Sequence, residues 1–486
     1  MRWITPVMAA LVLGGGGRVE GAPAQDLVSR AALAPAELDK YWQCPIPLRG
    51  GEGLSALYLE DENLYAVTDL GTVYAIDADV GLVRWSAFVA DPPFEVFRPC
   101  HAMSKGAAHT METCIASPKG LLVLHRRTGR LLIRMKLPFT ASGPPISDGK
   151  SVYIGSVNNR YYALRPVREG VVLLEPKKKG LKWYGVIVLV DGKRLYHEAE
   201  SLAKVREWQQ GWLERLGGSH AEHRAAMMRW QIDTEGNVRG RPVVVDRIAY
   251  IPSDGGKLFA VSLYNKRKVW DVKTSGGIFA DPLVGGGMVY AASTDRSLYA
   301  VDRIHGTRQW QCHVPSIIKR SGYITEKLIY LPGEPTGVHA VEPAAGKLLW
   351  SFEHALDFLA ELKESVCLFE PGEAIQQVDI ETGELIRAIP CPTASLSVGN
   401  TRDATMYIAS RDGRLMCIRP EGVPYLRRAK FEAAAATTAP STTAPASGQD
   451  AKAPTGADKA GDETDDPLRS RSKLRPAISP KPPGGR

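Results

Sequence analysis

The sequence predicts an all-β fold, an eight-bladed β-propeller. One observation is a phrase of strand residues ending in tryptophan that returns at a period of roughly 40 residues. Another is that each copy alternates apolar and polar residues in short runs, as half-buried strands do. The phrase is clearest at residues 289–310 and 249–270. Such units are typical of propeller blades rather than of doubly wound or helical folds.

Each unit has the same internal order. Two alternating strands are joined by a tight turn that carries Asp and Gly, as at residues 254–256, because Gly tolerates positive φ. An acidic residue then follows, with Gly four positions later, as in Asp302 and Gly306. This spacing predicts a hairpin into an outer strand, which the tryptophan opens.

The repeated tryptophan is best explained by packing between neighbouring blades. An aromatic ligand cage needs several rings that converge on one point, whereas equivalent positions on a ring of blades point in different directions. The structural repeat tryptophans are Trp42, Trp85, Trp230, Trp270, Trp310 and Trp350.

The strand-opening position recurs eight times and sets the number of blades. It falls at Tyr65, Ile115, Tyr153, Tyr250, Tyr290, Tyr330, Cys367 and Tyr407. The last unit ends near residue 420 without an outer strand, whereas residues 41–48 hold an outer-strand tryptophan with no unit before it. We therefore expect the N-terminal strand to complete the last blade of a propeller spanning residues 41–425, which removes an open sheet edge.

The phrase resembles the PQQ-type repeat. It combines an aromatic strand, a turn, Leu-Tyr-Ala-Val-Asp at residues 298–302, and a Gly four residues before Trp. This resemblance covers roughly residues 41–425 and implies an eight-bladed propeller. Two kinds of protein carry the repeat: quinoprotein alcohol dehydrogenases with pyrroloquinoline quinone and calcium on the axis, and BamB-like periplasmic scaffolds for outer-membrane protein assembly.

Two departures bear on the choice between these branches. The dehydrogenases typically carry adjacent cysteines that form a disulfide over the cofactor, and none of the seven cysteines here has a cysteine neighbour. BamB carries a lipid-modified cysteine directly after its signal peptide, and Cys44, the first cysteine here, lies too far along the chain. The sequence favours a non-enzymatic scaffold with no catalytic residue, cofactor or metal. A degenerate PQQ-dependent alcohol dehydrogenase-like oxidoreductase is the alternative.

Cys100 and Cys114 flank an extended loop and could form a disulfide in an oxidising compartment. With His101 and His109 they could also imitate a zinc site, but a disulfide or free thiols are favoured. The sequence has no haem, nucleophile-elbow, P-loop or EF-hand motif.

The two ends of the chain differ from the middle. Arg2, an apolar stretch through Leu13 and a small-x-small site at residues 22–24 predict a signal peptide over residues 1–24, with an uncleaved anchor as the alternative. Residues 25–40 are expected to be a linker, and the mature protein to be periplasmic or secreted with no transmembrane span. Residues 430–486 are rich in Ala, Thr and Pro or charged, so we expect a disordered tail.

The formal net charge is +8, but acidic and basic residues are interleaved and no helix-turn-helix, RNP-like or zinc-finger pattern occurs. Nucleic acid is therefore not expected as a partner. The expected partners are proteins of the cell envelope.

One irregularity interrupts the repeat, an insertion in blade 3 over residues 166–228. Residues 183–190 and 194–196 flank Asp-Gly and predict a hairpin. Ser219 and Glu222 predict the start of a short second helix. Function concentrates in loops on rigid scaffolds, so this insertion is the best place to look for what distinguishes the protein, with packing of its apolar stripe on the propeller as the alternative. A first helix is predicted by an apolar stripe at helical spacing, formed by Leu202, Val205, Trp208, Trp212 and Leu216.

Overall fold

The computed structural model describes residues 26–102, 111–166, 171–189, 194–216 and 228–423. Over these ranges it shows eight four-stranded sheets and one three-stranded sheet, and every neighbouring pair of strands within a sheet is antiparallel. The predicted eight-bladed propeller is confirmed. The predicted signal peptide, the tail from residue 430 and the second insertion helix near Ser219 lie outside the described residues.

The chain enters the propeller through a helical segment and one strand. A short helix, α1 (Arg30–Leu33), runs into a 3-10 helix (Ala34–Ala36) and then into β1 (Leu38–Pro45). The strands of blades 1 to 3 and of the insertion follow in chain order. Blade 1 holds β2 (Leu54–Glu60), β3 (Asn63–Thr68), β4 (Thr72–Asp77) and β5 (Val83–Phe88); blade 2 holds β6 (Cys100–His101), β7 (Glu112–Ser117), β8 (Gly120–His125) and β9 (Leu131–Lys136); blade 3 begins with β10 (Ile146–Ser147), β11 (Val152–Ser156) and β12 (Arg160–Leu164); the insertion holds β13 (Val171–Lys179), β14 (Lys182–Leu189), β15 (Arg194–Ala199) and helix α2 (Leu202–Leu216); and β16 (Met228–Asp233) completes blade 3.

The remaining blades follow without interruption, each with its innermost strand first. Blade 4 holds β17 (Val243–Val245), β18 (Ile248–Ser253), β19 (Lys257–Ser262) and β20 (Lys268–Lys273); blade 5 holds β21 (Leu283–Gly285), β22 (Met288–Ser293), β23 (Ser297–Asp302) and β24 (Arg308–His313); blade 6 holds β25 (Tyr323–Ile324), β26 (Ile329–Pro332), β27 (Val338–Val341) and β28 (Leu348–Phe352); blade 7 holds β29 (Asp357–Glu361), β30 (Ser365–Glu370), β31 (Ala374–Asp379) and β32 (Leu385–Pro390); blade 8 holds β33 (Leu396–Val398), β34 (Met406–Ala409) and β35 (Arg414–Pro420).

Strand β1 is the outer strand of blade 8. It pairs antiparallel with β35, with Trp42 opposite Cys417. The indole of Trp42 donates a hydrogen bond to the carbonyl of Ala78 in blade 1, at 3.3 Å. The predicted closure by the N-terminal strand is confirmed. In addition, the hydrogen bond of Trp42 connects blade 8 with blade 1.

The segment before β1, expected to be a linker, is packed against the propeller. Leu27, Val28 and Leu33 are buried in one cluster with Ile389 of blade 7 and with residues of blade 8. The amide of Leu27 donates to the side chain of Gln43 at 3.1 Å. The packed part of the chain therefore begins at residue 27, ahead of the first strand, and the prediction of a linker does not hold for this segment.

Aromatic pairs explain the repeated phrase inside a blade. In blade 5, Tyr290 of the second strand faces Ala300 of the third, which faces Trp310 of the outer strand. Because alanine is small, the rings on either side of it meet, with centroids 5.6 Å apart. The same pairing occurs in six blades, between Tyr65 and Trp85, Tyr153 and Trp230, Tyr250 and Trp270, Tyr290 and Trp310, Tyr330 and Trp350, and Tyr407 and Trp42.

The same tryptophans also contact the next blade. Gly346, in the turn before the outer strand of blade 6, has φ +70°. A Cβ built on it would lie 2.4 Å from the Trp310 ring of blade 5, so the ring occupies the space of a side chain. Five such contacts join neighbouring blades: Trp42 with Gly81, Trp85 with Gly129, Trp270 with Gly306, Trp310 with Gly346, and Trp350 with Gly383.

The insertion forms a small α/β unit. Its sheet has the order β13-β14-β15, and α2 covers one face, where Val205 is buried and Trp208 stacks on His197 with centroids 4.9 Å apart. The predicted hairpin is confirmed by β14 and β15, and β13 is a further strand that the sequence did not indicate. In the described part of the chain, no helix is both long and apolar enough to cross a bilayer.

Candidate functional site

The innermost strands of the blades surround a central channel that contains two cavities. The larger, about 690 Å³, lies where the innermost strands begin, and the smaller, about 350 Å³, lies toward their ends. Arg98, Asp281, Ser321 and Tyr323 line both cavities, so they form the constriction between them. Several blades build this channel jointly, and polar side chains from different blades converge in it, which makes it the candidate site.

The constriction is built from equivalent positions in successive blades. Arg98, Arg241, Asp281 and Ser321 each stand two residues before an innermost strand. The amide of Arg241 in blade 4 donates to Asp281 Oδ1 in blade 5 at 2.7 Å, and the amide of Asp281 donates to Ser321 Oγ in blade 6 at 3.0 Å. Side chains from one blade therefore satisfy the backbone of the preceding blade at the channel wall.

A buried ion cluster crosses the channel at this level. Glu60, at the end of β2 in blade 1, accepts from Arg98 Nε at 2.8 Å and pairs with Arg241 of blade 4. Arg98 also approaches Asp281 at 3.5 Å. Glu60 is 8% exposed, so the two guanidinium groups replace the water that its carboxylate lost on burial.

Burial and charge act in opposite directions on these groups. Burial alone would raise the pKa of Glu60, but Arg241 and Arg98 outweigh it and hold that pKa below its usual range. Burial alone would lower the pKa of Arg241, which Glu60 instead raises. Glu60 and Arg241 are therefore charged at neutral pH, and the cluster that they form with Arg98 ties blades 1, 2 and 4 together across the axis.

A second carboxylate in the channel wall is less well compensated. Asp357, the first residue of β29, lines the larger cavity and accepts hydrogen bonds from the Phe358 amide and the Tyr323 hydroxyl. Burial raises its pKa to about 6, although these hydrogen bonds and nearby Arg320 oppose the rise. The ring of Tyr323 fits at this position because Gly399 has no side chain. A Cβ on Gly399 would lie 2.2 Å from the Tyr323 ring.

Asp357 should make stability depend on pH. Its pKa is about 6 in the folded protein and 3.8 without perturbation, so the stabilising effect of its protonated form is fully present below the unperturbed value and lost as pH rises through 6. We expect Asp357→Asn to become more stable than the wild type as pH rises, by at most about 3 kcal/mol. Urea unfolding on both sides of this window measures the difference, with Asp246→Asn as an exposed control. A constant difference between wild type and Asp357→Asn would contradict the assignment.

One group of ligand-type side chains adjoins the smaller cavity, because Asp61 pairs at 3.5 Å with Arg402, which lines that cavity. Atoms of Asp61, Glu62 and His101 come within 4.8 Å of one another. His101 Nδ1 lies 2.8 Å from Asp61, and its Nε2 lies 2.7 Å from the Tyr65 hydroxyl. Arg126 lies 2.9 Å from Glu62 and 3.5 Å from Asp61, and a hydrogen bond with His101 lowers the pKa of Asp61 to about 2. These contacts indicate an ion-pair network rather than a metal centre.

Cys100 and Cys114 are brought together but are not bonded in the structure. They face each other in register on β6 and β7, and both are buried free thiols. This placement suits the geometry of a cross-strand bond, so the disulfide stays a prediction for the exported protein. His109, the other member of the zinc alternative, lies outside the described residues.

Sequence reasoning did not find the channel residues, although a weak signal exists. A charged residue followed by proline precedes three innermost strands, at Arg98-Pro99, Arg241-Pro242 and Asp281-Pro282. Proline restricts the preceding residue to extended conformations, which suits a side chain held at the start of a strand. The repetition of this dipeptide in three units could have marked the channel wall.

The comparison with protein families matches the repeat region almost completely. The model of the family described as outer membrane protein assembly factor BamB matches residues 40–211 and 206–422. The chain belongs to this family. The two matched stretches include every blade of the propeller and all six repeat tryptophans. No curated protein sequence matches the chain.

The solved structure of one BamB protein shows the same fold. BamB from Moraxella catarrhalis matches with a TM-score of 0.54 at 14% sequence identity, over 80% of this chain and 99% of that one. A computationally designed protein, Ika8, has a TM-score of 0.49 at 12% identity, over 77% of this chain and 98% of that one. At this identity the match to BamB bears on the fold alone.

Proposed function

We propose that the protein is an exported, non-enzymatic scaffold that binds protein partners in the cell envelope and acts in outer-membrane protein assembly. The observation that carries the proposal is the family match over residues 40–211 and 206–422, since that family is described by this assembly role. Fold alone would not distinguish a scaffold from an enzyme, because propellers host both.

The channel supports a scaffold over a quinone enzyme. A calcium-held quinone would need several free oxygen ligands, since calcium takes six to eight of them. The carboxylates at the constriction, Glu60 and Asp281, already face Arg98 and Arg241. A cation would have to displace these guanidinium groups, so the constriction does not fit the cofactor of the dehydrogenase branch.

The insertion supplies a surface for a partner. Cross-strand register places Tyr184, Val186, Tyr196 and Glu198 on the sheet face opposite α2. Tyr196 is 67% exposed, and Tyr184 and Val186 are partly exposed. Tyrosine is enriched at the energetic centre of protein interfaces. We assign this face of the insertion to partner binding.

A capture experiment tests the proposal. The purified full chain is crosslinked to detergent-solubilised envelope proteins, and the captured proteins are identified by mass spectrometry. We expect outer-membrane assembly proteins with the wild type, and a loss of at least about tenfold with Val186→Asp/Tyr196→Asp, because a charge is forced into the interface centre. Leu385→Asp/Ile386→Asp, at two exposed apolar residues on the outer strand of blade 7, is the matched control.

The alternative enzyme is tested in parallel with pyrroloquinoline quinone and calcium. Tight quinone binding with dye-linked alcohol oxidation would overturn the scaffold proposal. Capture that is equal for wild type and the insertion variant would keep a scaffold but contradict the assigned face.

A further inference from the structure

The turns between the third and the outer strand of each blade lie on one face of the propeller. Two of them carry an exposed apolar side chain at the tip: Tyr264 in blade 4 is 80% exposed, and Ile304 in blade 5 is 65% exposed. In blade 3 the insertion occupies the same connection, and Leu181 in its first hairpin turn is 92% exposed. Blades 4 and 5 thus present one large apolar side chain each at this turn, and the insertion of blade 3 presents one at the end of β13.

Basic residues flank each of these tips. Lys182 adjoins Leu181, Lys266 and Arg267 follow Tyr264, and Arg303 precedes Ile304. Lys182 pairs with Glu198 and Arg303 with Asp246, whereas the described residues place no carboxylate within ion-pair distance of Lys266 or Arg267. Nearby exposed bases extend the set; these are Lys177, Lys178, Lys179, Arg127 and Arg130.

The charge at these turns differs around the ring, and the turn of blade 6, between the two sides, carries the exposed Lys347. The corresponding turn of blade 7 carries Glu381, and that of blade 1 carries Asp79, both exposed. A patch that is basic over blades 2 to 5 and acidic at blades 7 and 1 orients the protein toward an anionic surface, because attraction and repulsion act on opposite sides.

The arrangement fits a lipid surface better than a protein. Protein interfaces bury a contiguous, well-packed centre. Here each apolar side chain stands alone on a convex turn and is separated from the next by lysine and arginine. Single apolar side chains that enter the headgroup region, with long basic side chains beside them to reach phosphates, are typical of peripheral membrane contacts.

We propose that the turns at residues 264–267 and 303–305, joined by the Arg303–Asp246 ion pair between blades 5 and 4, form a docking surface for a membrane with anionic headgroups. Tyr264 and Ile304 enter the headgroup region, and the neighbouring bases bind lipid phosphates. This contact goes beyond the proposed scaffold function and does not depend on it. Its partner is lipid, and its residues differ from those assigned to protein binding.

Flotation with vesicles tests the docking surface on the full chain. Vesicles of equal parts phosphatidylcholine and phosphatidylglycerol should bind the wild type, and phosphatidylcholine alone should not. Lys266→Gln/Arg267→Gln should weaken binding roughly thirtyfold, at a factor of about five per basic residue near an anionic surface. Tyr264→Ser/Ile304→Ser should weaken it roughly tenfold through lost apolar burial.

A matched control removes the same charge from the opposite face. Lys119→Gln/Arg296→Gln changes exposed bases in turns between the second and third strands, which lie at the other end of the blades. This control should bind vesicles like the wild type. Equal loss in the control and in Lys266→Gln/Arg267→Gln would overturn the proposal, as would no preference for anionic vesicles. So would loss of a captured envelope protein in Lys266→Gln/Arg267→Gln without any change in vesicle binding, since that result assigns the surface to an acidic protein.

Discussion

A chain that lacks residues 26–45 should not fold into a closed propeller. The deletion removes β1, which pairs with β35, and leaves that strand as an open edge with unpaired backbone groups. It also removes Leu33 from a buried cluster and Trp42 from its contact with blade 1. We expect aggregation on expression and no cooperative unfolding transition in circular dichroism for any soluble remainder.

Two further chains separate this effect from a general intolerance to truncation. A chain that ends at residue 429 removes a longer segment, the tail that the sequence predicts to be disordered, and should unfold like the full chain. A synthetic peptide of residues 26–48, added during refolding, should restore soluble protein by supplying the missing strand in trans. If the shortened chain unfolds cooperatively at the wild-type midpoint without the peptide, β1 does not close the ring.

A single substitution in the same strand should act in the same direction. Trp42 is buried, and its ring contacts Tyr407 within blade 8 and Gly81 in blade 1. Trp42→Ala should cost about 3 to 5 kcal/mol of unfolding free energy, as large-to-small changes of buried aromatic residues do. The loss is expected because one ring supports both the blade and its junction.

The repeat was predictable from sequence because its aromatic positions are local. Tyr290 and Trp310 lie 20 residues apart in one unit, and the alanine between their strands completes a pattern that recurs unit by unit. The same regularity also predicts the position of β1. Its tryptophan marks an outer strand that has no unit before it, and the last unit of the repeat has no outer strand, so the two belong together. Eight blades therefore follow from counting.

The exceptions to the phrase become understandable only in three dimensions. Blade 2 has Ile133 where other blades have tryptophan, and the blade that follows it carries the insertion in place of the tight glycine turn. Blade 7 has Arg387 at that position, and blade 8 ends its third strand without such a turn. Tryptophan is thus replaced where the next blade has no turn to receive it. In the sequence, the glycine and the tryptophan of one phrase belong to the same unit. In the structure, each tryptophan ring contacts the glycine of the next blade, so the contact joins two units.

The channel was not predictable because its residues come from separate units and differ in type. Glu60 and Arg241 are 181 positions apart and meet only when the ring closes. The innermost strands that position them are as short as two residues, so they show little periodicity. Residues that every blade requires recur in each unit and so form a visible pattern. An ion pair on the axis occurs once, so it forms no such pattern.

The second large effect is expected at this ion cluster. Glu60→Gln should lower the free energy of unfolding by about 3 to 5 kcal/mol, because breaking a buried ion pair leaves charges without compensation. Arg98 and Arg241 would both remain in the channel, where Asp281 is the nearest other carboxylate to Arg98 at 3.5 Å. Urea denaturation of the purified variant measures the loss. Glu235→Gln is the matched control, since Glu235 pairs with Lys257 at 2.7 Å in an exposed position, and it should cost at most about 1 kcal/mol.

Removing the second charge distinguishes ion pairing from the general cost of changing a packed residue. In Glu60→Gln/Arg241→Met, a single guanidinium, that of Arg98, remains in the cluster, and Asp281 stays within reach of it. The double variant should therefore be more stable than Glu60→Gln alone, although it carries one more substitution. If the losses of the single variants simply add, the two side chains act independently. If Glu60→Gln costs no more than Glu235→Gln, solvent reaches the constriction, and the cluster does not join the blades across the axis.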